Sequence, residues 1–107
     1  MPRYVTQFAY TPQAWAAQIK NPQDRREGFG ALASKLGGRL VDAYITLGDY
    51  DGLVIFDAPD DTTAAAIAMA TVSPGHIKAI NTTRALTVKE ALEAMRKAGG
   101  VSYQAPG

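Results

Sequence analysis

Few side chains in this sequence are equipped for chemistry. His76 is the only histidine and titrates near neutrality, so it can act as an acid/base group or, in a dimer, as one ligand of a haem or metal. Its structural alternative is an exposed imidazole at a strand edge. Arg84 stands in an apolar and hydroxylated stretch, where it can steady an anion or pair with Asp42 or Asp57. Tyr4, Tyr10 and Tyr44, with Asp42, can orient a phenolic or polyketide-like molecule, or pack across an interface. The chain of 107 residues has no cysteine. That removes disulfides, thiolate metal sites and cysteine nucleophiles, and the single histidine removes a two-histidine site within one chain. No cofactor and no metal are expected, and the shortage of nucleophiles and bases points to binding with little intrinsic catalysis.

Charge and motifs narrow the partners. Eleven Lys and Arg against ten Asp and Glu leave a net charge of +1, too small to draw a phosphate backbone. An RNA-reading strand carries a basic residue, glycine and aromatics, whereas residues 51–56 open on Asp51-Gly52. No nucleic-acid partner is expected. Gly28-Phe29-Gly30-Ala31-Leu32-Ala33 fits a dinucleotide fingerprint, but Asp24-Arg25-Arg26-Glu27 before it is no strand, so close helix packing or a kink explains those glycines better. Met1-Pro2-Arg3 runs directly into an alternating segment, and the longest apolar run, residues 64–70, falls short of the roughly 20 a membrane span needs. A cytoplasmic location and no membrane partner are expected.

Local punctuation defines the elements that position these groups. Residues 3–10 are aromatic and β-branched and stop at Thr11-Pro12, which predicts a strand. Residues 12–36 take a helical period, with Trp15 and Ile19 four apart and Phe29, Leu32, Ala33 and Leu36 on one face. Asn21-Pro22 inside it predicts a short helix restarting as a longer one, and Gly37-Gly38 ends the second. Residues 39–47 and 51–57 read as a hairpin about Gly48-Asp49-Tyr50, and acids at 60 and 61 precede a helix over 62–72. Residues 76–85 give a fourth strand. Thr87 to Glu90 has capping-box spacing and begins a last helix, with Ala91, Leu92 and Met95 as its apolar stripe.

The plan is α+β: a ferredoxin-like βαββαβ sandwich with a C-terminal helix over residues 1–98, and a short flexible tail over 99–107. Both long helices on one side leave the other sheet face bare. Tyr4, Thr6, Phe8 and Tyr10 share one side of the first strand; Leu40, Asp42, Tyr44 and Thr46 oppose Val41, Ala43, Ile45 and Leu47 in the second. The aliphatic set suits the helices, which leaves the aromatic and hydroxyl set on the bare face. Two such faces together would form a dimeric α/β barrel with an aromatic-lined cavity. The expected ligand is small and apolar or aromatic, held by Asp42, Tyr44, His76 and Arg84 against an apolar wall of Tyr4 and Phe8.

Thr46-Leu47-Gly48-Asp49-Tyr50-Asp51, with an apolar strand and Ala58-Pro59-Asp60-Asp61 after it, resembles the GYD domain family, small bacterial proteins named for a Gly-Tyr-Asp motif. Ile19-Lys20-Asn21, Arg25, Gly37-Gly38 and Thr83-Arg84-Ala85 resemble its pattern too, so the likeness runs from residue 3 to 95. Gly52 stands where an aliphatic residue is usual. The resemblance implies a ferredoxin-like, dimeric α/β barrel and no particular reaction, cofactor or catalytic residue. Within the motif, Gly48 frees the turn, Tyr50 packs its ring and Asp51 accepts backbone N–H groups; alternatively Tyr50 and Asp51 bind a polar ligand group at the barrel mouth. The sequence thus favours a small-molecule binding module working as a homodimer or higher homo-oligomer. The alternatives are a cofactor-independent monooxygenase-like or haem-binding enzyme of the same barrel type, and a ligand-free assembly or regulatory protein.

Overall fold

A computed structural model describes the whole chain, Met1–Gly107. Strand β1 (Arg3–Tyr10) leads through helices α1 (Pro12–Lys20) and α2 (Arg26–Lys35) to β2 (Arg39–Ile45) and β3 (Gly52–Asp57). Helix α3 (Asp61–Val72), β4 (Ile77–Ala85) and α4 (Val88–Gly99) complete it. The strands form one antiparallel sheet in the order β2-β3-β1-β4, so this is an α+β chain with ferredoxin-like connectivity. No helix is long and apolar enough to cross a membrane.

Capping residues start the helices as their types demand. The Thr11 hydroxyl accepts the Ala14 amide at 3.1 Å with Pro12 next in line, and an Asp60 carboxylate oxygen accepts the Thr63 amide at 2.8 Å. Thr87 and Glu90 form the full reciprocal capping box. The restart at Asn21-Pro22 is corrected. Asn21 closes α1 by donating its N–H to Ala17, as a residue before proline is pushed out of the helical region, and α2 begins only at Arg26, whose amide donates to Asp24. Residues 21–25 therefore form a loop, and Arg25 sits at its end.

The largest correction concerns which face of β1 is covered. Tyr4, Thr6 and Tyr10 are buried within one chain, and Phe8 packs against the core. Phe56 is fully buried, stacked on Tyr4 at a centroid distance of 5.4 Å and met edge-on by Phe29 of α2 at 5.6 Å. The aromatic set of β1 thus lies under the helices, not on the open face. The reason is polarity: the opposite set of β1 includes the charged Arg3 and the amide of Gln7, which cannot be covered by apolar helices without losing water. Burying the rings of Tyr4, Phe8 and Tyr10 also removes more apolar surface than burying Val5 would.

In β2 a bulge between Leu40 and Asp42 breaks the alternation. Leu40 pairs with Phe56 and Ala43 with Val54, so both face the helices; Asp42 and Tyr44 pair with Ile55 and Leu53 and stay on the open face. That face has Val5, Leu53 and Ile55 at its centre, all partly exposed. At one end Asp57 joins Arg3 at 2.9 Å and Arg39 at 3.0 Å. Helix α4 buries no residue, and Val88, Leu92 and Met95 are exposed along it. The radius of gyration is 17.1 Å against about 13 Å for a compact chain of this length, and the longest dimension is 56 Å.

A candidate binding cleft between the helices and the sheet

Small residues create the site. Gly28 on α2, Ala43 on β2 and Ala70 on α3 face a gap that larger side chains would close, and a Cβ built at Gly28 meets no atom within 4 Å. The result is an open-mouthed cleft of about 460 Å³ over the covered face of the sheet. Phe8 and Val54 form its floor, Phe29 and Leu32 one wall, and Ile77 and His76 the far end. An apolar cleft of this size with a few converging polar groups is the ordinary constitution of a small-molecule site.

The polar groups gather at the end where β1 runs into α1. Tyr10 is 5% exposed, held edge-on by Phe8 and Trp15 at 5.3 Å each, and its hydroxyl has no hydrogen-bond partner in the chain. It is not sealed in, because no buried side-chain polar atom is left unsatisfied. Burial pushes its ionisation upward, with Arg25 opposing. His76 lies tilted against Tyr10 at 6.2 Å; burial first, then the positive charge of Arg25, holds it below the ordinary imidazole value. At neutral pH the ring is therefore uncharged. Trp15 and Arg25 border the same end.

Of the residues expected to meet a ligand, Phe8 and His76 border this cleft; Tyr44 reaches its rim from the edge strand β2 although its side chain lies on the open face with Asp42, and Tyr4, Asp42 and Arg84 do not border it. Tyr4 donates to Asp61 at 2.5 Å, tying β1 to the first turn of α3; burial, then that bond, pushes its hydroxyl up to about 12. Asp42 accepts from the Tyr44 hydroxyl at 2.8 Å on the open face, which lowers its carboxyl. Arg84 approaches Glu90 of α4 at 3.6 Å rather than Asp42 or Asp57. From the sequence, Tyr10 stands among the tyrosines able to orient a ligand but outside the expected contact set of Asp42, Tyr44, His76 and Arg84, and Arg25 enters only as part of a resemblance. Tyr10 was recoverable, since it alternates in phase with Phe8; a loop arginine carries no local signal of what it will face.

The hairpin motif is built into the same end. Gly48 turns at φ 137, a conformation that side chains rarely adopt. An Asp51 carboxylate oxygen accepts both the Tyr10 amide at 2.9 Å and the Trp15 indole N–H at 3.2 Å, so one acid fixes the corner between β1 and α1. The Tyr50 carbonyl accepts from the Thr46 hydroxyl at 2.8 Å. Gly52 also finds its reason here: an added Cβ would lie 2.5 Å from the Phe8 ring and 3.0 Å from the Tyr44 carbonyl. An aliphatic residue at that position would displace the floor of the cleft.

Residues 4–95 match the GYD domain. A Thermus thermophilus protein named glutamine synthetase and cystathionine beta-lyase binding protein is 30% identical over 78 residues, 73% of this chain and 82% of that one. Among solved structures, TTHA0845 from Thermus thermophilus is similar over 82% of this chain and 96% of its own, at a TM-score of 0.54 and 12% identity. FFRP-DM1 is similar over 80% of this chain and all of its own, at 0.50 and 12%. MtbAldR gives a TM-score of 0.56 at 11% identity over 80% of this chain, which spans 52% of that protein. At these identities the structural likeness is one of fold, and the fold is ferredoxin-like.

Proposed function

The chain belongs to the GYD domain family, and we propose that it is a small-molecule binding module whose ligand occupies the cleft of a single protomer, with a second copy covering the open face of the sheet. The observation that carries the reading is the cleft itself, about 460 Å³ with an apolar floor and one group of polar side chains at its end. Catalysis is not part of it. His76 is the one side chain at that end with ordinary acid/base reach, and it is hydrogen-bonded to no hydroxyl that it could activate.

Pairing is supported by what one chain leaves uncovered. Val5, Leu53 and Ile55 form an apolar centre on the open face, and the Val88, Leu92 and Met95 stripe of α4 has nothing packed on it. A second copy placed face to face would cover the sheet, give α4 a surface to lie on, and make the dimeric barrel expected from the sequence. Tyr4 and Phe8 take no part in that interface, because they are inside the protomer.

A second reading rests on the Thermus relative named for binding glutamine synthetase and cystathionine beta-lyase. In it α4 docks on another protein and the chain acts as an assembly or regulatory partner; the exposed stripe of α4 is the surface that would serve. Two measurements test these readings. Trp15 is the only tryptophan and borders the cleft, so a ligand entering it changes the protein's fluorescence. Light scattering reports whether the particle has twice the 11.4 kDa protomer mass; a monomer that stays monomeric removes the pairing and leaves α4 to a different protein.

A further inference from the structure

Two arginines border the cleft, and they differ. Arg26 donates through its Nε to both carboxylate oxygens of Asp24, at 3.0 Å each, and is neutralised there. Arg25 belongs to no ion pair and makes no side-chain hydrogen bond, although its charge is felt by both Tyr10 and His76. The polar end of the cleft therefore has one cation outside any ion pair, one hydroxyl that opens to the cleft without a partner in the chain and one neutral imidazole, with the Asp51 carboxylate already held by the Tyr10 amide and the Trp15 indole N–H. Opposite them the floor and wall are Phe8, Val54, Phe29 and Leu32.

We infer that the cleft takes a small amphiphilic anion, an aromatic or branched aliphatic carboxylate, with its acid group between Arg25 and the Tyr10 hydroxyl and its apolar part on Phe8 and Phe29. This rests on the reading of the cleft as a ligand site. The chemistry is specific. A guanidinium and a phenol both donate, and a carboxylate offers two acceptor oxygens to receive them. The Tyr10 hydroxyl opens to the cleft with no partner in the chain, so a ligand oxygen can accept its hydrogen where an apolar group cannot. A neutral His76 adds a further donor or acceptor without a second charge to balance. An amide or alcohol of the same shape keeps the apolar contacts and loses the attraction to Arg25.

The test uses phenylacetate and its uncharged analogue phenylacetamide as probes, titrated against the full chain with Trp15 emission as readout. The expected result is tighter binding of phenylacetate by roughly ten- to a hundredfold, the range for losing a hydrogen bond to a charged group. Arg25→Met should erase that preference and leave phenylacetamide binding unchanged; Arg25→Lys should keep most of it, and Tyr10→Phe should weaken phenylacetate several-fold. Arg25 is exposed and makes no side-chain contact the fold needs, so its variants should fold. Equal binding of both probes, or a preference that survives Arg25→Met, overturns the anion proposal while leaving the cleft as a binding site. Failure of both probes to move Trp15 emission overturns the reading of the cleft as well.

Discussion

The two faces of this sheet are cut from the same strands and end in opposite states. On one, Tyr4, Thr6 and Phe56 are almost completely removed from water; on the other, Val5, Leu53 and Ile55 remain partly exposed beside the Arg3–Asp57–Arg39 cluster. Both sets contain apolar residues. The difference teaches that a single charged or amide member can decide a face, since a strand turns all its alternate residues together and one Arg3 under a helix would cost more than several aliphatic contacts return. The covered face holds a cleft because it is enclosed and locally underfilled, and the open face is left without a covering layer.

The comparison breaks most easily at Phe56. Phe56→Ala should destabilise the fold by about 3–5 kcal/mol in denaturant unfolding, as expected for a large ring lost from a packed core. Ile55→Ala, one residue along and on the other face, should cost clearly less at concentrations where the chain is monomeric. Equal losses would show that the two faces are equally buried and that the assignment of inside and outside is wrong.

At the corner joining β1 to α1 the expected effect is smaller. Asp51→Ala leaves the Tyr10 amide and the Trp15 indole N–H without their acceptor, so stability should fall by about 1–3 kcal/mol. Asp51→Asn keeps an acceptor oxygen and should lose less. Equal losses from the two would mean that the hairpin motif does not act through those hydrogen bonds.

The open face can be sharpened with acid. The hydrogen bond from Arg3, with a lesser one from Arg39 and against the opposing effect of burial, holds the Asp57 carboxyl below the usual carboxylate range. A depressed value in the folded state means that this stabilisation is fully present above the unfolded value of about 3.9 and disappears as pH falls through the lower folded value. Melting temperature should therefore drop more steeply below pH ~4 in the native chain than in Asp57→Asn. Both arginines are about half exposed or more, so the difference should be modest. The smallest effect has the opposite sign. Gly30 lies inside α2, and a methyl there meets only the Leu40 side chain at 3.9 Å, so Gly30→Ala should stabilise by about 0.5–1 kcal/mol.

Much of the architecture was legible because it is punctuated locally. Thr11-Pro12, Gly37-Gly38, Asp60 and the Thr87–Glu90 box each act within a few residues of themselves, and the strands and helices they bound follow the sequence closely. What was not legible lay at longer range. Alternation sorted β1 into two sets without saying which was covered, although Arg3 and Gln7 held the answer. The bulge in β2 carries Val41, a residue with nothing unusual about it, so the switch that puts Leu40 and Ala43 on one side had no local mark. Tyr4 and Phe8 were put on the wrong side of the sheet for the same reason, whereas Asp42 and Tyr44 lie on the side expected. Arg25 gains its meaning only once a loop from one end of the chain is folded over Tyr10 and His76.

The most direct test is native mass spectrometry of the chain and of Gly28→Phe, a substitution that places a ring in the open space beside Gly28 and so fills the cleft. The unaltered chain should fly as a dimer with a small acidic molecule retained by its protomers, and Gly28→Phe as the same dimer with no small molecule bound. A small molecule held equally by both chains, or an unaltered chain that retains none, would contradict this expectation.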